Sequence, residues 1–174
     1  MKVYFVRHGE SEYNLTDRHQ HPRVTLSATG QKQAAIVAER FSRIPVEVVL
    51  SSDYTRALTT AGIIAKKIGK EVETSELFRE RKRPDEIEGL KSSSPRAKHI
   101  TGQIAQNIHN SQWRYSNEEN FFDMKDRAKQ IIKYLETRPE DTLLVVTHAE
   151  ILKTVVLLIL LEEYLTPQIF AVSF

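Results

Sequence analysis

Three short apolar runs, each joined directly to a helix-period stripe, constrain this chain more than any other feature. Val3 to Val6, "VEVVLSS" (46–52) and "TLLVVTH" (142–148) are continuous runs, the pattern of strands covered on both faces. Beyond the first, Ala34, Val37, Ala38 and Phe41 repeat at helical spacing. Beyond the second come Ala57, Ala61, Ile64, Ala65 and Ile68. Phe121, Met124, Ala128, Ile131 and Leu135 form a stripe ahead of the third, which itself continues into "AEILKTVVLLILLEEY". Spacings of three and four place apolar residues on one helix face. Strands alternating with helices predict an α/β fold, a three-layer α/β/α arrangement around a mostly parallel central sheet.

Residues 81–117 break the rhythm. "RKRPDEIEGLKSSSPRAKH" is polar and basic with two prolines, and a weak helical repeat at Ile100, Ile104 and Ile108 follows it. This segment reads as an insertion over one edge of the sheet within a single domain spanning 1–174. The ending, "TPQIFAVSF", is apolar and strand-like, so the last element is expected to be short or incomplete.

With 25 basic and 23 acidic residues the chain carries a net charge of only +2, too little to favour nucleic acid or an anionic membrane. It has no cysteine, which excludes a disulfide scaffold, a thiolate metal site and a cysteine nucleophile. The longest apolar run, Thr154 to Leu161, falls far short of the roughly 20 residues that span a bilayer. Four apolar residues after Met1-Lys2 do not make a signal peptide. The expectation is a cytoplasmic protein acting on a small molecule, with its oligomeric state left open.

In a parallel sheet the functional loops lie beyond the carboxyl ends of the strands. Arg7-His8 ends the first strand, "SSDYTRALTTA" puts Arg56 at the start of the helix after the second, and His148 ends the third. Two histidines and two arginines from three distant segments would therefore meet at one sheet edge. Each has a plainer reading: His8 bonded to backbone, Arg56 on a helix surface, His148 as a cap, and Ser52 or Asp53 as the N-cap before Arg56. Together they suit a phosphoryl group. Guanidinium forks pair with phosphate oxygens, helix N-termini add N–H donors, and imidazole can attack phosphorus. His19 and His21 in "DRHQHPR", with His99 and His109, read as surface or substrate-edge residues.

"VRHGESEYN" resembles the signature of the histidine phosphatase superfamily, the phosphoglycerate mutase-like group. "TLSATGQKQA", "SSDYTRALTTA", "LFRERKRPDEIEG" and "VVTHA" are similar to its further motifs, in order along nearly the whole chain. The resemblance implies that His8 is a nucleophile forming a phosphohistidine. It implies that Arg7, Arg56 and His148 hold the phosphoryl oxygens, helped by Asn14 and the Ala149 backbone N–H. Glu80 matches the proton donor, with Glu86 as its competitor among neighbouring carboxylates, and Gly9 would let the backbone turn closely under the phosphate. No metal and no cofactor are implied.

Some positions depart from the family pattern: Ala149 stands where glycine is frequent, Arg83-Pro84 replaces an aromatic-glycine pair, and "RVTL" replaces "DxPL". The final strand is short or absent. A mutase must shield its phosphohistidine from water, and a short chain with a polar insertion suits that poorly. A phosphomonoesterase is therefore expected, acting on a phosphorylated small molecule or a phosphoprotein. Phosphoglycerate mutase and phosphohistidine-protein phosphatase are the enzymatic alternatives, and a phospho-ligand-binding pseudoenzyme the non-catalytic one. The basic run Arg79, Arg81, Lys82 and Arg83 either attracts an acidic substrate or forms a solvated face.

Overall fold

The computed structural model describes residues 1–172. Its strands are β1 (Lys2–Arg7), β2 (Val48–Ser51), β3 (Val72–Thr74) and β4 (Thr142–Thr147). Its helices are α1 (Glu12–Leu15), α2 (Ala28–Phe41), α3 (Thr55–Ile68), α4 (Pro95–Gln106), α5 (Phe121–Glu136), α6 (Ala149–Leu161) and α7 (Pro167–Val172). The four strands form one sheet in the order β1-β4-β2-β3, and every pairing is parallel.

The continuous apolar runs have the expected cause. In β4 and β2 every residue is buried, whereas the edge strand β1 is half-exposed. Successive side chains point to opposite faces. Leu143, Val145, Val48 and Leu50 therefore meet α5 and α6 on one side, and Leu144, Val146 and Val49 meet α2 and α3 on the other. Helix starts are set locally. Ser27 accepts from the Gly30 N–H to open α2, and Asn120 with Asp123 forms a capping box at α5, each satisfying N–H groups the helix leaves free.

Several expectations need correction. β3 is a fourth strand that the apolar runs do not announce: it is three residues long, lies at the sheet edge and contains one apolar residue, Val72. The strand-like ending is helical over Pro167–Val172, where Phe170 is buried in the core; Ser173 and Phe174 lie outside the described residues. The N-cap of α3 is Tyr54, which makes no side-chain cap bond, instead of Ser52 or Asp53. The insertion is not polar throughout either. Ile87, Ala97, Ile100 and Ile104 form a small buried cluster with Leu90, Trp113 and Tyr115 against it. Among the described residues no helix is long and apolar enough to cross a membrane.

Candidate active site

Strand register brings the site together. Arg7 of β1 lies beside Thr147 of β4, and Val146 lies beside Ser51 of β2. The ladder continues one bond further on each side, through the His8 N–H to the Thr147 carbonyl and the Ser52 N–H to the Val146 carbonyl, both at 3.0 Å. His8, His148 and Ser52 therefore leave adjacent strands at the same level. The two imidazole rings are 5.0 Å apart between centroids.

Arg56, in the first turn of α3, sits beside His8 and is 1% exposed. Its Nε donates to His8 Nε2 at 3.2 Å and its Nη1 to the His21 carbonyl at 3.0 Å. A guanidinium always donates, so His8 Nε2 is an unprotonated acceptor. The ring's proton is then on Nδ1, which donates to the Gly9 carbonyl at 2.7 Å. Burial first, then Arg56 and Arg7, push the His8 pKa down to about 4, against the opposing pull of the Gly9 carbonyl. At neutral pH the ring is uncharged and its Nε2 lone pair is available.

His148 is fully buried and, for the same reasons of burial and the Arg56 charge, its pKa lies well below the usual range. Its Nε2 meets the Ser52 hydroxyl at 2.9 Å, while Nδ1 is buried without a partner. Ser52 in turn accepts from the Tyr54 N–H at 3.2 Å. Arg56 has no carboxylate partner in an ion pair among the described residues. Burial lowers its pKa to about 10, which still leaves it cationic at neutral pH. A buried cation bonded only to neutral acceptors is costly unless an anion joins it.

Glu80 reaches the same place from the chain after β3. Its Oε1 accepts from the N–H groups of Arg81 (2.9 Å), Glu150 (3.1 Å) and Ile151 (3.3 Å), closing the open start of α6. Burial first and the neighbouring Glu150 charge second raise its pKa, against those N–H donors and Arg56. The Ala149 N–H, one position earlier, makes no hydrogen bond among the described residues. Glu86 sits elsewhere: it does not line the cleft, and its Oε2 is buried without a partner.

Arg7 is exposed at the end of β1, and among the described residues its side chain has no hydrogen bond or ion pair. Asn14 lines the adjoining cleft, its Oδ1 held by the Ser11 N–H at 3.0 Å. Gly9 has a packing reason to be glycine. A Cβ there would stand 2.4 Å from the Gly30 carbonyl oxygen, so its smallness lets α2 approach the β1 loop. The basic run is largely paired. Arg79 pairs with Asp53 and Glu76, Arg81 with Glu118 and Glu150, and Arg83 with Glu150, so three of its four cations are already matched.

Sequence reasoning missed Ser52 as the partner of His148, and Thr60, whose hydroxyl accepts from the Gly9 N–H at 3.2 Å. It also missed Gln20, a cleft residue whose Oε1 meets the Ser11 hydroxyl at 2.9 Å and whose Nε2 is buried unbonded. Ser52 carried a signal, being the last residue of an apolar run. Gln20 carried none beyond a polar loop.

Comparison with known proteins adds the family. The sequence profile of the histidine phosphatase superfamily, branch 1, matches residues 3–172. The chain belongs to that superfamily. Among curated relatives it is 42% identical over 81 residues to "Probable phosphoglycerate mutase GpmB" of Serratia proteamaculans, 46% of this chain and 38% of the relative. It is 45% identical over 92 residues to phosphoglycerate mutase-like protein 4 of Arabidopsis thaliana, 51% of this chain and 40% of that protein. The matched region is thus less than half the length of either.

Solved histidine phosphatase folds agree over more of the chain. The phosphoserine phosphatase of Entamoeba histolytica superimposes with a TM-score of 0.80 at 24% identity, over 99% of this chain and 84% of that one. Bacillus stearothermophilus YhfR gives 0.75 at 27%, over 89% and 77%.

Proposed function

We propose that this member of the superfamily is a phosphomonoesterase working through a phosphohistidine on His8. The observation that carries the reading is Arg56, a buried guanidinium without a counter-ion, donating to an unprotonated His8 Nε2. When a phosphomonoester binds, its anionic oxygens supply the missing counter-charge. Arg56 and Arg7 clamp those oxygens, with His148 Nδ1, the Ala149 N–H and Asn14 as further contacts. His8 Nε2 attacks phosphorus, forming the N–P bond as the ester P–O bond breaks. Glu80, whose raised pKa favours the protonated carboxyl, gives its proton to the leaving oxygen. It then takes one from the water that attacks the phosphohistidine, releasing inorganic phosphate and freeing Nε2.

The relatives' names support a small phosphorylated substrate: phosphoserine for the Entamoeba protein, glucosyl-3-phosphoglycerate for a mycobacterial one. Hydrolysis is favoured over isomerisation because the cleft, about 1030 Å³, has a mainly polar wall, and a mutase needs its intermediate kept from water. A cytoplasmic location belongs to the same proposal.

Glu80→Gln tests the assignment through leaving-group chemistry. For an alkyl phosphate, kcat/KM should fall by about 10²–10⁴-fold, the usual contribution of a general acid. For p-nitrophenyl phosphate, whose leaving group needs little protonation, it should fall far less. In the wild type, kcat/KM on the alkyl ester should decline as pH rises through the elevated Glu80 pKa, because the acid is lost there. The variant should lack that limb. Equal losses on both esters would remove Glu80 from the role. Conversion of 3-phosphoglycerate to its isomer without phosphate release would replace phosphatase by mutase.

A further inference from the structure

We infer that Ser52 is a positioning residue that fixes the tautomer of His148. Its hydroxyl donates to Nε2, so the imidazole proton is held on Nδ1 and offered to the phosphoryl oxygens. The inference rests on the phosphoryl reading of the His8 site and deepens it. Ser52 and His148 are both 0% exposed, where a polar atom normally has a partner. Their contact, Ser52 Oγ to His148 Nε2 at 2.9 Å, can be made with the proton on either side. A neutral imidazole has one N–H and one lone pair, and a hydroxyl has one proton and two acceptor positions.

The remaining bonds decide between the two sides. Burial and the Arg56 charge keep His148 neutral, so only one of its nitrogens carries a proton. Ser52 Oγ already accepts from the Tyr54 N–H at 3.2 Å, and among the described residues its one other polar contact is His148. With the imidazole proton on Nε2, the Ser52 hydroxyl proton would have no acceptor and the Nδ1 lone pair no donor. That makes two unpaired groups at one buried contact, each costly. With Ser52 donating, the hydroxyl and Nε2 are both satisfied. The one group left over is an N–H on Nδ1, the atom that is buried without a partner.

That leftover proton suits an anion. The N–H of the next residue, Ala149, is likewise unpartnered among the described residues, so two donors one residue apart lack an acceptor. An N–H attracts an anionic oxygen, whereas a lone pair in its place repels it. The His148 ring is held between neighbours, with the His8 ring 5.0 Å away and the Tyr54 ring 5.3 Å away between centroids. The two histidines then carry the same tautomer for opposite purposes. In His8 the Gly9 carbonyl takes the Nδ1 proton at 2.7 Å and leaves the Nε2 lone pair free. In His148 the Ser52 hydroxyl occupies the Nε2 lone pair and leaves the Nδ1 proton free. One ring presents electrons to phosphorus and the other a proton to oxygen, each fixed by the bond its second nitrogen makes.

Nitrogen-15 NMR of the histidine-labelled wild-type protein, ligand-free and near neutral pH, reads the tautomer directly. The His148 ring, assigned through its bonds to the backbone, should show a protonated Nδ1 and an unprotonated Nε2. Ser52→Ala should release Nε2 to take up the proton, a change that a merely structural serine would not cause. The same variant should bind inorganic phosphate about tenfold or more weakly in titration calorimetry, the loss expected for one hydrogen bond to a charged group. A wild-type proton on Nε2 overturns the inference, and that spectrum needs no variant to fold. A Ser52→Ala protein that binds phosphate as tightly as the wild type overturns it too. Turnover of p-nitrophenyl phosphate by the wild type, measured separately, decides the phosphatase reading, so the two can fail independently.

Discussion

His8→Ala is expected to lower kcat on p-nitrophenyl phosphate by about 10⁴-fold or more, the scale on which loss of a covalent nucleophile is felt. No neighbouring group replaces it. His148 Nε2 is committed to Ser52, and Arg7 and Arg56 have no lone pair to offer. Phosphate binding should persist, because the proposed clamp is intact and the substitution leaves Arg56 with even less to bond. Inorganic phosphate should therefore still protect the variant against thermal unfolding. A variant with residual activity within tenfold of wild type would show that His8 is not the nucleophile. Loss of phosphate binding together with activity would make His8 a binding residue instead.

The second large effect is on stability. Gly30→Ala should destabilise the fold by about 3 kcal/mol, the upper part of the usual overpacking range, read from urea midpoints. A Cβ at Gly30 would stand 2.0 Å from the Glu10 carbonyl oxygen, and that neighbour is backbone, which cannot swing aside. Gly9 makes the reciprocal contact with Gly30, so the first turn of α2 is keyed into the loop that carries His8. The same substitution should thus lower activity by displacing His8. Gly62, inside α3, is the control: nothing lies within 4 Å of a Cβ there. Gly62→Ala should stabilise by up to about 1 kcal/mol through helix propensity alone.

These cases show what the sequence could and could not convey. The central strands were legible because β2 and β4 are buried on both faces and hence continuously apolar. β3 was not, since a three-residue edge strand needs no such run. Convergence of Arg7, His8, Arg56 and His148 followed from strand ends alone. The neutral tautomer of His8 did not, because it depends on a bond from Arg56, 48 residues away. Among the carboxylates of "RERKRPDEIEG", local pattern does not distinguish Glu80 from Glu86. Only Glu80 bonds to the start of α6, about 70 residues on and just past His148. The glycine of "RHG" also makes a packing contact with Gly30, a long-range fact that no local spacing encodes.

The central claim is that His8 carries the phosphoryl group during turnover. Rapid mixing of the wild-type protein with a ³²P-labelled monoester, quenched in alkali within milliseconds, measures it directly. Label stable to base and lost in mild acid, mapped to the peptide containing His8 and absent from His8→Ala, is the predicted result. Phosphate release without any such protein-bound label, or label on a different residue, would contradict it.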